Sequence, residues 1–337
     1  MAILKYLTYI VLIIQLTSCY TDFNPKSDEK PELCINSLIT AGEPIEVRLS
    51  HTYNYNLINT DTDLSVNDGI VRIFINDIEV DKDYVPKEGD RIVIYAESPT
   101  YGSAMADVSV PKALCLGNIN YKLTEINENN KTISKIANSQ YQLNIDFNLE
   151  VEIEIIDNDS KENYFQFFYE GYYPTVNSIC PVEYFSEEEK IFFYPGNLEY
   201  SLENIFQEHI GIHDNAISAE ISSHYQLFTD KMFSNEKYTL HLLFTAGKYE
   251  MQTDFLNKEL FECGVIIHIN SISQSLYNYG LYLWNQEESL SDNLADFGLA
   301  DLKWGYSNVS TGAGIVAART KNKIWIDISD FLREQLP

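Results

Sequence analysis

Apolar and polar residues alternate with a period of two through much of this chain. Between Asn144 and Ile155 the alternation is unbroken: Ile145, Phe147, Leu149, Val151, Ile153 and Ile155 are separated by Asp146, Asn148, Glu150, Glu152 and Glu154. Successive side chains of a strand point to opposite faces, so the segment predicts a long strand with one buried and one acidic face. Asp157-Asn158-Asp159-Ser160 then turns the chain toward Tyr164 to Tyr169, which predicts a long hairpin. Shorter strands are predicted at 33–39, 45–49, 69–75, 91–96 and 108–111, with Asn76-Asp77 as a hairpin turn and Pro86 to Asp90 as a second connection. Later strands fall at 190–194, 238–244, 264–269 and 323–328. At 202–209, 271–284 and 329–336 apolar residues recur every three or four positions, which predicts helices.

The elements predict a mainly β protein. A small antiparallel, immunoglobulin-like β-sandwich occupies 32–111, and a larger β-rich domain, a sheet or barrel-like body with a few short helices, occupies 112–337. With 337 residues, 45% of them hydrophobic, the chain buries sizeable cores and is not disordered. Fifty acidic against 23 basic side chains give a formal net charge of -27, which repels nucleic acid and anionic lipid surfaces as principal partners.

The first residues carry a different pattern. Lys5 precedes an apolar run from Tyr6 to Leu16, too short for a permanent membrane span, so Met1 to Ser18 read as an export signal. Leu16-Thr17-Ser18-Cys19 resembles a bacterial lipobox, in which the cysteine is lipidated and becomes the first residue of the mature chain. Acyl chains such as palmitate on Cys19 would hold the protein on a membrane, at about 0.8 kcal/mol per buried methylene. Tyr20 to Pro31 is polar, contains two prolines and reads as a tether; the 19–31 segment therefore separates anchor from body. Asp22, Asp28 and Glu29 loosely resemble the acidic display signal of some Bacteroidota lipoproteins, which points to the outer membrane and its cell-surface face.

Candidate chemistry is sparse. Besides Cys19 the chain has Cys34, Cys115, Cys180 and Cys263, an even number in an exported protein. Chain position suggests disulfides between Cys34 and Cys115 and between Cys180 and Cys263; four buried thiols is the other reading, since domains of this size need no staples. No C-x-x-C occurs, so neither a redox pair nor a zinc ribbon is expected. His209 and His213 have the spacing of metal ligands on a helix, but no glutamate follows His209 and Gly211 weakens the helix, so no metal site is assigned. His241 and His268 fall in strands and are expected to be sheet residues. Glu150, Glu152 and Glu154, with Asp146, Asp157 and Asp159, could attract calcium or a basic partner. Their spacing, about 6.6 Å between alternate residues, suits a solvated face better than an enclosed ion. Asn59 to Gly69 resembles part of a calcium loop without its final glutamate and reads as an exposed loop. Tyr53, Tyr55 and Tyr101, in predicted loops, are the candidate contact residues. Gly312-Ala313-Gly314 lacks the context of a dinucleotide site, and no cofactor and no catalytic residue is assigned.

Several segments carry a resemblance: Ile35 to Thr40, Pro111, Asn163-Tyr164-Phe165, Leu227-Phe228-Thr229-Asp230, Ile269 to Tyr282, and Tyr306 to Ala318. Together with the lipobox they resemble the Bacteroidota outer-membrane lipoproteins grouped as domain of unknown function 4249. Ser310-Thr311 stands where that family's pattern would have two glycines. The resemblance implies a non-enzymatic cell-envelope lipoprotein, an accessory or binding component associated with a TonB-dependent receptor. A free-standing adhesin or structural protein is the alternative, and a hydrolase a more distant one.

Overall fold

The computed structural model describes residues 30–53, 63–81, 83–125, 132–137, 140–144, 147–157, 161–172, 192–193, 198–199, 204–206, 226–234, 236–246, 251–254, 264–287 and 305–334. The alternating runs form strands that bury their apolar faces. The N-terminal part supplies β1 (Leu33–Thr40), β2 (Arg48–His51), β3 (Ile70–Ile75), β4 (Ile78–Val80), β5 (Arg91–Ser98) and β6 (Gly102–Ser109). The middle supplies β7 (Cys115–Glu125), β8 (Thr132–Ala137), β9 (Gln140–Asn144), β10 (Phe147–Ile156), β11 (Tyr164–Tyr172), β12 (Phe192–Phe193) and β13 (Leu198–Glu199). After a 3-10 turn at Asn204–Phe206 come β14 (Gln226–Thr229), β15 (Lys237–Ala246), β16 (Met251–Asp254) and β17 (Gly264–Ile272). Helix α1 (Gln274–Glu287), β18 (Val309–Ser310), β19 (Ala313–Thr320), β20 (Lys323–Asp327) and helix α2 (Ser329–Glu334) complete the described elements.

One eight-stranded sheet runs through the molecule as a spine. Its order is β12-β11-β17-β19-β1-β2, with β14 also beside β11 and β20 also beside β17. One end of the spine packs against the sheet β18-β6-β5-β3-β4 and encloses Leu33, Ile35, Ile39, Ile73, Ile92, Ile94 and Val316. The other end packs against the sheet β13-β15-β10-β7 and encloses Phe147, Val151, Phe165, Phe167, Leu242, Ile267 and Ile326. A three-stranded sheet, β16-β9-β8, extends the second body. Burying each of these large side chains stabilises the fold by about 1.5–3 kcal/mol. The mainly β prediction is borne out as two sandwiches sharing a sheet, with no closed barrel among the described residues.

Two features depart from the sequence expectation. The expected first domain, 32–111, takes two strands from the far end of the chain: β18 pairs with β6, and β19 lies parallel to β1. A parallel partner cannot come from a tight hairpin, so it has to be supplied by a distant segment. The expected hairpin of 144–155 with 164–169 does not form. β10 pairs with β7 and β15, whereas β11 pairs with β12, β14 and β17 in the spine. Both strands are apolar on one face, and placing them in opposite sheets lets Val151 and Ile153 share one core with Phe165 and Phe167. The Asn76-Asp77 turn does form: both residues have positive φ, 50° and 69°, as a two-residue hairpin turn requires. Asp90, 9% exposed, accepts bonds from Asn76 Nδ2, Tyr84 Oη and the Lys87 amide, tying that turn to the 86–90 connection. Helix α1 starts later than predicted because β17 continues to Ile272; Ser273 then caps the helix, its Oγ accepting from the Leu276 amide at 3.3 Å. Of the helix expected at 202–209, the turn at Asn204–Phe206 is described and the rest lies outside the described residues.

The parallel β1–β19 pair explains the glycines of 312–314. A Cβ on Gly312 would stand 2.3 Å from the Leu33 carbonyl oxygen, and one on Gly314 2.2 Å from that of Ile35. Gly314 also has φ +113°, closed to other residues. Thr311, at φ 58°, occupies a left-handed position without being glycine. Gly314→Ala is expected to lower stability by about 3 kcal/mol, whereas Thr311→Gly is expected to raise it by about 0.5 kcal/mol as the left-handed strain of a β-branched residue disappears. Chemical denaturation of the two variants measures both.

Candidate functional site

Two loop connections meet at one end of the first sandwich. Asp68, at the close of the β2–β3 connection, accepts hydrogen bonds from Ser98 Oγ and Thr100 Oγ1, both at 2.9 Å, in the β5–β6 turn. Ser98 Oγ in turn accepts from the amides of Thr100 and Tyr101 at 3.2 Å. Tyr101 is thereby held with its ring stacked on His51, centroids 4.4 Å apart and planes 7° from parallel. His51 Nδ1 lies 2.8 Å from the Thr52 carbonyl oxygen, and since a carbonyl only accepts, Nδ1 carries the proton. Thr52 is fixed by reciprocal bonds with Glu32, its amide donating to the Glu32 carbonyl at 2.9 Å and its Oγ1 accepting from the Glu32 amide at 2.8 Å. Tyr53 follows directly and is 48% exposed. Nearby, the Ser65 side chain and amide hold the Asp63 carboxyl below the usual carboxylate range.

Among the described residues this end offers the exposed ring of Tyr53 and the half-buried His51–Tyr101 stack, with the Asp63 and Asp68 carboxylates nearby. Tyrosine supplies contact area with little rotamer entropy to lose, so the arrangement suits recognition of a peptide, glycan or protein surface. Tyr53 and Tyr101 are the loop tyrosines singled out in the sequence; Tyr55 and residues 59–62 lie outside the described residues. His51 gave no such signal, because its role depends on stacking against a turn 50 residues away.

The remaining candidates fall elsewhere. Cys34 and Cys115 are free thiols, so the disulfide suggested between them is not formed; Cys34 is buried on β1, and burial pushes its thiol up, while Cys115 is exposed at the start of β7. Cys19, Cys180, Cys263, His209 and His213 lie outside the described residues. His241 on β15 has Nδ1 3.5 Å from Glu152 Oε1, and His268 on β17 stacks on Phe168 at 4.2 Å; both are strand residues, as expected. Glu150, Glu152 and Glu154 alternate with buried Val151, Ile153 and Ile155 along β10. Glu154 accepts from Lys237 Nζ at 2.8 Å and from the Asn118 amide at 3.1 Å, which hold its carboxyl below the usual range. Among the described residues, no group of three or more His, Cys, Asp and Glu side chains is spaced to hold a metal ion.

The segments that carry the family resemblance converge on the spine. Asn163, leading into β11, donates to the Asp230 carboxylate through its amide at 3.1 Å and through Nδ2 at 2.7 Å, joining the Asn163–Phe165 and Leu227–Asp230 motifs. Ser273 Oγ accepts from the Ala318 amide at 3.0 Å and Ser275 Oγ donates to the Val316 carbonyl at 3.0 Å, joining α1 to β19. Asn308 completes this end of β19, Nδ2 donating to the Val316 carbonyl at 2.8 Å and Oδ1 accepting its amide at 2.9 Å. Thr320 Oγ1 donates to the Pro111 carbonyl. These motifs build the scaffold; the aromatic end lies outside them.

The described fold defines a two-core β-sandwich protein built on a shared sheet. The chain matches the family described as Domain of unknown function (DUF4249) over residues 20–324, and it belongs to that family. No curated protein and no solved structure matches it.

Asp230 is 1% exposed, and burial raises its carboxyl above the usual range despite the bonds from Asn163. Folding therefore favours its protonated form, so its contribution to stability is greatest in acid and is lost as pH rises through the raised value. Asp230→Asn is expected to remove this component: relative to the variant, the wild-type protein gains stability between neutral pH and mild acid. Denaturation midpoints of both proteins across that range test the sign.

Proposed function

We propose that this chain is an outer-membrane lipoprotein, lipidated at Cys19, that acts as a non-enzymatic binding accessory of a TonB-dependent transporter on the cell surface. The observation that carries the reading is a junction in the sequence: the lipobox Leu16-Thr17-Ser18-Cys19 ends where the family match begins, at residue 20. An export signal, one acylated cysteine and a polar tether from Tyr20 to Pro31 place a folded body at a bilayer; at about 3.3 Å per extended residue the tether reaches tens of ångströms. The net charge of -27 sets the body away from anionic headgroups, leaving attachment to the acyl chains. The Tyr53, Tyr101 and His51 end is the contact surface in this reading.

Cys19→Ala is expected to move the protein from the membrane fraction to the soluble fraction, and persistence in the membrane would remove the anchor from the proposal. The tagged native lipoprotein, extracted in mild detergent, is expected to bring down a transporter barrel at near-equal abundance. Recovery of the lipoprotein alone, with a control complex intact in the same detergent, would overturn the accessory role. In the same assay Tyr53→Ala is expected to reduce the recovered barrel about tenfold or more, as loss of an anchoring tyrosine does at protein interfaces.

A further inference from the structure

Among the described residues the second sandwich ends on a long strand with no strand on its outer side. β7 pairs with β10 over the register Cys115↔Ile156 to Glu125↔Phe147, and the sheet order stops there. Cross-strand partners share a face, so Ile119, opposite Ile153, and Tyr121, opposite Val151, lie on the core side of the sheet. Their partners are 0% and 1% exposed, yet Ile119 is 38% and Tyr121 49% exposed. Leu116 and Leu123, on either side of them, pack against the core as partly buried residues. Among the described residues the core side is therefore left partly uncovered along the middle of β7. On the outer face the edge carries Asn118, Asn120 and Lys122, with Glu150, Glu152 and Glu154 in the next row on β10.

Edge strands of soluble proteins are ordinarily short, interrupted by proline, or charged on the core side, because an open ladder templates pairing with another chain. β7 is 11 residues long, contains no proline, and places isoleucine and tyrosine rather than a charge on its core side; one register shift against β10, between Ile153 and Ile155, interrupts the ladder near its start, and Lys122 is a charge on its outer face. We infer that β7 is a strand-addition site, which takes an extended segment of a partner protein with apolar residues at alternate positions and basic residues between them. An added strand would lie about 4.8 Å beyond β7 and use main-chain hydrogen bonds for affinity. Its apolar side chains would cover Ile119 and Tyr121. Its basic side chains, on the opposite face, would stand about 10 Å from the β10 row, and a lysine or arginine stem spans that gap across the short Asn118 and Asn120. Lys122 stands opposite Glu150 and Lys237 bonds Glu154; Glu152 faces Asn120 and His241, and is the carboxylate best placed to meet an incoming cation. A second copy of this chain would bring another -27 charges and the same acidic rows to the edge, which favours a basic partner strand instead.

The probe is a capped ten-residue peptide alternating lysine and valine, compared with a peptide of the same composition in two blocks, titrated into the full-length protein by fluorescence anisotropy. The alternating peptide is expected to bind at least about tenfold more tightly and to slow hydrogen exchange of amides in Cys115–Glu125. Ile119→Lys, at an already exposed position, is expected to keep the thermal midpoint and lose about tenfold in peptide affinity; Glu152→Gln is expected to weaken binding and flatten its salt dependence. Equal binding of the two peptides, or unchanged binding by Ile119→Lys with the fold intact, would overturn the proposal. So would a concentration-dependent dimer that Ile119→Lys abolishes and the peptide does not displace, because the occupant of the edge would then be a second copy.

Discussion

Ile35 and Gly314 run side by side in a parallel pair, and from their contact the rest of the molecule takes its arrangement. Asn36 Oδ1 accepts the Ile315 amide across a sequence separation of 279 residues. With β19 seated on β1, the same strand meets β17 at Ser271 and Ile272, and β17 carries β11 on its other edge. One sheet thus serves two cores. Only glycine allows the approach, since any side chain at 312 or 314 would press on the β1 carbonyls. Closing so long a loop adds little more entropy cost than closing a moderate one, because the cost grows logarithmically with length.

The point where the spine passes from one core to the other is held by amides rather than apolar packing. Asn270, 1% exposed, accepts the Asn322 amide at 3.1 Å, the Asn322 carbonyl accepts from Ile269 at 3.1 Å, and Asn322 Nδ2 donates to the Leu114 carbonyl at 2.8 Å. A buried asparagine with its bonds satisfied specifies one register, where a greasy residue would tolerate several. The Asn163–Asp230 contact does the same work at the β11–β14 edge.

Function is then left to what the scaffold does not use. The aromatic end around His51 and Tyr101 and the open edge at Ile119 and Tyr121 belong to different sandwiches and to different chemistry, one presenting side chains from loops and the other presenting backbone. A protein with two such surfaces can hold one partner while contacting another. Fold alone does not assign a role, so the accessory function proposed above draws on these surfaces and on the proposed lipidation of Cys19.

Period-two alternation was enough to find β10 and β20 and to place the buried face of each, because a side-chain pattern of that period is a local property of extended backbone; β17 is instead a mostly apolar run, buried on both faces. The alternation was also present at Ile119, Tyr121 and Leu123, between Asn120, Lys122 and Thr124, but it says nothing about whether the next strand exists. The Asn76-Asp77 turn was legible for the same local reason. Pairing was not. The chain's own order suggested that β10 and β11 form a hairpin and that the first sandwich ends at Pro111; which strands meet depends instead on which apolar faces can be buried together, and that is settled only when distant segments compete for the same core.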